Sequence, residues 1–136
     1  MIKENINHIS DINRELMKQI FKEYKEGIVG YVRTAHIDDH IMNIKRQKDI
    51  ILCFCKEYNI KCKKIYIEEG FSGINYERPN IKNITKSNKE KVILTTEFSR
   101  FSRDMIALDR YVDENDKIII GITDGVIIRK NTQDWL

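Results

Sequence analysis

The sequence predicts an α/β fold, a mainly parallel four- to five-stranded sheet flanked by helices. Three observations carry this. Short β-prone runs recur at 28–32, 63–67, 91–95, 117–120 and 126–128. Between them lie longer segments whose apolar residues follow helical spacing. The chain has 136 residues, 41% of them hydrophobic, which suffices for one core but not for two domains of ordinary size (about 100–200 residues each). Parallel strands need a crossover to return to the same end of the sheet, so alternating strands and helices point to this architecture.

The elements follow in order. A first helix is read over 11–26, where Ile12, Leu16, Ile20 and Tyr24 recur every fourth residue beside Phe21. Ser10 or Asp11 supplies its cap and Gly27 its stop. The first strand begins at Ile28. A polar stretch, 34–40, leads to a long helix over about 42–58, with Ile44, Ile51, Cys55 and Tyr58 on one side. The second strand, 63–67, runs into a loop, 68–77, containing Gly70 and Gly73. Pro79 suits the first turn of a short helix, where its missing N–H costs nothing. A third strand, a helix near 103–114 and a fourth strand follow. The Asp124-Gly125 turn signal then introduces a fifth.

Composition excludes several classes. One proline, Pro79, and six glycines rule out collagen-like and linker-rich chains. Lys+Arg is 24 against 21 Asp+Glu, a net +3, which permits nucleic-acid contact without demanding it. Three cysteines, Cys53, Cys55 and Cys62, make neither a disulfide framework nor the paired ligand sets of a zinc site. Cys53 and Cys55 are read as small buried apolar residues, and reduced thiols suit the cytoplasm. No apolar run approaches the ~18–20 residues of a membrane span, and the N-terminus lacks a signal-peptide core. The expectation is a cytoplasmic protein without membrane contact.

Parallel sheets place function at the carboxyl ends of their strands. These ends read Tyr31-Val32-Arg33-Thr34-Ala35-His36, then Glu68 to Pro79, then Glu97-Phe98-Ser99-Arg100-Phe101-Ser102-Arg103. They hold four arginines, Arg33, Arg78, Arg100 and Arg103, with Ser72 as a hydroxyl donor. Guanidinium groups stay charged and grip phosphate oxygens in pairs. Four of them converging on one crevice would suit a phosphate that gains negative charge in a transition state.

The succession of Tyr-x-Arg, a Ser-Gly loop closed by Arg-Pro, and Ser-Arg-Phe-Ser-Arg resembles the catalytic domain of serine recombinases, the resolvase/invertase family, over about residues 29–127. The resemblance implies a resolvase-like domain, 28–136, behind an N-terminal helical extension, 1–27. It implies site-specific DNA cleavage and exchange through a covalent phosphoserine, without metal or cofactor. The partners would be DNA and further copies of the chain, as a dimer or tetramer, or a related recombinase. Arg33, Ser72, Arg78, Arg100 and Arg103 match the family's site positions, with Gln47 and Glu69 in supporting ones.

Three departures matter. The nucleophilic serine would stand at Ala35, whose methyl group cannot attack phosphorus. Ser99 occupies a place where the family often has an acid. The family's long dimerisation helix and DNA-reading module do not fit within residues 129–136, and the extra helix is expected to cover apolar surface that this segment would cover. Trp135 is read as a packing or interface residue. The sequence therefore points to a recombinase catalytic domain that is cleavage-dead as written. Two alternatives are a free-standing inactive relative that binds DNA phosphate or regulates an active recombinase, and an unrelated α/β module for a phospho-ligand or protein.

Overall fold

The computed structural model describes residues 2–5, 11–34, 40–69 and 78–130. Six strands form one sheet in the order β1-β6-β5-β4-β2-β3. They are β1 (Ile2–Asn5), β2 (Ile28–Thr34), β3 (Ile65–Glu69), β4 (Val92–Thr95), β5 (Ile118–Gly121) and β6 (Val126–Arg129). β2 to β5 are parallel, β6 runs antiparallel to β5, and β1 antiparallel to β6. The helices are α1 (Asp11–Glu23), α2 (His40–Glu57), α3 (Pro79–Lys86), the single turn α4 (Phe98–Phe101) and α5 (Met105–Asn115).

The five expected strands are present, and β1 is an addition. Its sequence, Ile-Lys-Glu-Asn, has no apolar run; backbone pairing with β6 makes it a strand, which no side-chain pattern announces. α4 also escaped the reading, because one turn is too short to show a period.

Strand residues alternate between two cores. Ile28, Val32, Val92, Leu94, Ile118, Ile120 and Ile127 pack with α1 and α2. Val29, Tyr31, Ile93, Ile119, Val126 and Ile128 pack with α3, α4 and α5. Crossovers through α1 and α2 run one way across the sheet, and those through α3 and α5 the other way. Uniform handedness requires this division of helices between the faces. The connections leaving β2 and β4 thus go to opposite faces, which opens a crevice between the carboxyl ends of these neighbouring strands.

Cys55 is buried and Cys53 exposed, which corrects the reading of both as core. Two helical positions lie about 200° apart, so one must face away. At the opposite end of the sheet, a Cβ on Gly27 would fall 2.1 Å from the Lys89 carbonyl oxygen, so glycine alone allows this close approach. Lys117 is buried and donates to the carbonyls of Ile84, Ser87 and Glu90 at 2.8, 2.7 and 2.6 Å, satisfying acceptors at and beyond the end of α3.

Candidate active site

The crevice is built by β2, α2, β3 and the segment after β4. Tyr31 and Arg33 point to the same face of β2 because they lie two residues apart on a strand. Arg33 reaches α4, donating through Nε to the Arg100 carbonyl at 2.6 Å and through Nη2 to the Ser99 carbonyl at 2.7 Å. Arg78, at the entry to α3, approaches α4 as well. Its Nη1 donates to the Tyr31 hydroxyl at 2.8 Å and the Arg100 carbonyl at 3.2 Å, and its Nη2 to the Phe101 carbonyl. Both arginines are almost wholly buried, at 1% and 0% exposure. Two guanidinium forks therefore hold three consecutive carbonyls of a turn too short to satisfy them itself.

Gln47 is buried on α2 and clasps β2. Its Oε1 accepts from the Arg33 N–H at 3.2 Å, and its Nε2 donates to the Arg33 carbonyl at 3.1 Å. The same Nε2 lies 2.8 Å from the Asn43 Oδ1. Asn43 and Gln47 share a helix face by their i, i+4 spacing.

Arg100 is held more loosely. Its Nη1 donates to the Arg33 carbonyl at 3.4 Å and its Nη2 to Asn43 Oδ1 at 3.3 Å. Its Nε is buried without a hydrogen-bond partner. Arg103 is exposed and lines a hollow of about 500 Å³ with Glu97, Ser99, Ser102 and Asp124. Burial, and then the charges of Arg78, Arg100 and Arg103, push the Arg33 guanidinium down to about 10, while Tyr31 acts the other way. The four arginines thus form one electrostatic cluster.

Glu68 is buried, and Glu69 beside it is exposed. The Glu68 Oε1 accepts from the N–H groups of Asn80 and Ile81 at 2.8 and 3.3 Å, serving the first turn of α3 where Arg78 provides no side-chain cap. Burial raises the Glu68 carboxyl above its ordinary value. The two N–H donors and the charges of Arg78 and Arg33 act in the opposite direction.

Arg33, Gln47, Arg78 and Arg100 are brought together by direct contacts, and Ser99 joins them through its carbonyl. Arg103 stands at the rim, and Glu69 faces outward. Ala35 and Ser72 lie outside the described residues, as do His36 and Trp135. Sequence reasoning missed Tyr31, Asn43 and Glu68 as partners. The i, i+2 and i, i+4 spacings to Arg33 and Gln47 were the available signals for the first two. Among the described residues no cluster of three or more His, Cys, Asp or Glu is placed to hold a metal, and no helix is long and apolar enough to cross a membrane.

Residues 28–132 match the family model of the resolvase N-terminal domain. No curated protein matches the chain significantly. Among solved structures, the chain is similar to the N-terminal catalytic domain of TP901-1 integrase, with 20% identity and a TM-score of 0.64 over 72% of this chain and 79% of that one. It is also similar to the C-terminal catalytic domain of IS1535 TnpA, an IS607-like serine recombinase, with 22% identity and a TM-score of 0.59 over 69% of each.

Proposed function

This chain belongs to the resolvase N-terminal domain family, a site-specific recombinase catalytic domain, and from that premise we propose that it binds DNA phosphate but does not cut. Strand cleavage in this family resemblance needs a hydroxyl at position 35, and Ala35 offers none. The phosphate would meet Arg100 first. The observation that carries this reading is the state of Arg100: a half-buried residue whose guanidinium makes only two long contacts and leaves Nε without a partner. Arg33 and Arg78 direct donors at the backbone of α4, so their role is to position that turn and to add charge. Arg103 supplies a second cation at the rim, and Ser72 a hydroxyl. The partners in this reading are DNA and a second copy of the chain or a related recombinase, and the setting is the cytoplasm.

The test is incubation with supercoiled DNA carrying the recombination site, followed by a search for a covalent protein–DNA adduct. The chain as written forms none. Ala35→Ser forms one, through the new hydroxyl. An adduct with the alanine chain would place the nucleophile elsewhere. In parallel, Arg100→Ala weakens binding of a short duplex at low salt by about tenfold or more, and binding by the parent chain falls steeply with added salt. Unchanged affinity in Arg100→Ala would remove this arginine from the phosphate site.

A further inference from the structure

A second cluster of cationic side chains lies at the other end of the sheet. β2 is seven residues long, so its two ends are roughly 20 Å apart. At its amino end, α1, the start of β2 and the segment after α2 enclose a groove of about 510 Å³, within the roughly 300–1,000 Å³ range of ligand sites.

The floor of this groove is apolar, formed by Phe21, Ile28, Tyr58 and Ile60. Its rim carries five lysines, Lys18, Lys22, Lys25, Lys61 and Lys63, against one acid, Glu26. That local excess of four exceeds the net +3 of the whole chain, so the remainder of the molecule is slightly acidic. Lys18 lies 3.6 Å from Glu15. The other four make no ion pair among the described residues. The Tyr58 hydroxyl is buried without a hydrogen-bond partner. A second hollow shares Lys25, Glu26 and Lys63 and carries the basic surface on to Lys89.

We infer that this groove binds an acidic protein segment that inserts a large apolar side chain. Two features together select this occupant. Unpaired lysines on long flexible stems attract carboxylates. The apolar floor asks for an aromatic or branched side chain, which gains from leaving water. A DNA duplex could touch the lysine rim, but it is too broad to enter and leaves the floor uncovered. Phe21 and three of the rim lysines lie upstream of residue 28, where the family match begins. The site is thus a property of the added helix α1, separate from the arginine crevice and independent of the function proposed for it.

The experiment is selection of a randomised phage-displayed peptide library on the full chain, followed by fluorescence anisotropy with a synthetic form of the most enriched peptide. Enriched sequences combine Asp or Glu with Trp, Phe, Leu or Ile. The doubly reversed variant Lys25→Glu/Lys61→Glu weakens binding by about tenfold or more while its circular dichroism and unfolding midpoint stay unchanged. Arg100→Ala binds the peptide as the parent does. The proposal is overturned by failure to enrich, by enrichment without acidic bias, or by equal binding to the reversed variant. Full displacement of the peptide by a short DNA duplex, together with undiminished binding of a peptide whose apolar residues are replaced by serine, would overturn the proposal in favour of a nucleic-acid surface.

Discussion

The two ends of the sheet use positive charge in opposite ways. At the carboxyl end, Arg33 and Arg78 are buried and spend donors on the backbone of α4. At the amino end, Lys22, Lys25, Lys61 and Lys63 are exposed and make no ion pair among the described residues. The guanidinium fork explains the first arrangement, since its planar donors can satisfy several fixed carbonyls at once. The compact, strongly hydrated ammonium explains the second, since it stays in water until a partner arrives. A count of cations therefore says little about where an anion binds. What matters is which donors remain unsatisfied, and by that measure the crevice offers Arg100 and Arg103 while the groove offers a whole rim.

The comparison can be broken most decisively at Arg78. Arg78→Ala removes the donors serving the Tyr31 hydroxyl and the Arg100 and Phe101 carbonyls. It lowers stability by about 3 kcal/mol in urea unfolding, because the Tyr31 hydroxyl and the Phe101 carbonyl lose this buried charged donor, while the Arg100 carbonyl keeps Arg33 Nε. A small change, or a gain, would mean that Arg78 is a ligand-binding arginine whose burial strains the fold.

Gln47→Ala has the next largest effect. It removes the Gln47 partner from both backbone groups of Arg33, leaving the carbonyl only the long contact from Arg100, and costs about 2 kcal/mol by the same measurement. Weakened duplex binding should accompany it, because the backbone of Arg33, whose side chain holds the turn carrying Arg100, loses its clasp. Loss of stability with unchanged duplex binding would separate the clasp from the proposed phosphate contact.

The smallest effect belongs to Glu68 and appears only in pH dependence. Its raised folded value means that the native state holds the proton more tightly than the unfolded chain. Stability from this group is therefore greatest at low pH and falls as pH rises from the ordinary carboxylate value through the raised one. Glu68→Gln keeps an acceptor for Asn80 and Ile81 and loses that decline, so the parent chain weakens relative to the variant as pH rises. The opposite slope would show that Arg78 and Arg33 outweigh burial.

Much of the fold was legible because it rests on local patterns. Apolar runs marked β2 to β6, helical spacing marked α1, α2 and α5, and Pro79 marked the start of α3. The strand-end rule led to the crevice where Arg33, Arg78 and Arg100 meet, and the order of three motifs pointed to the family that the chain matches over residues 28–132. β1 and α4 were not legible. One depends on a neighbouring strand's backbone and the other is a single turn held by distant arginines, so neither leaves a period in the sequence.

The sequence by itself determined the fold class, the family and the absence of a hydroxyl at Ala35, because these depend on residue type, order and spacing. Only the tertiary structure decided how the cations divide. Arg33 became a support of α4 because the neighbouring strands β2 and β4 bring residues 66 and 67 positions apart within hydrogen-bonding distance, and Arg78 because the entry to α3 lies beside α4, 22 and 23 positions on. The lysine groove exists because α1 packs beside the end of α2. Burial and partner geometry, which set whether a charge is committed or available, are properties of the assembled fold.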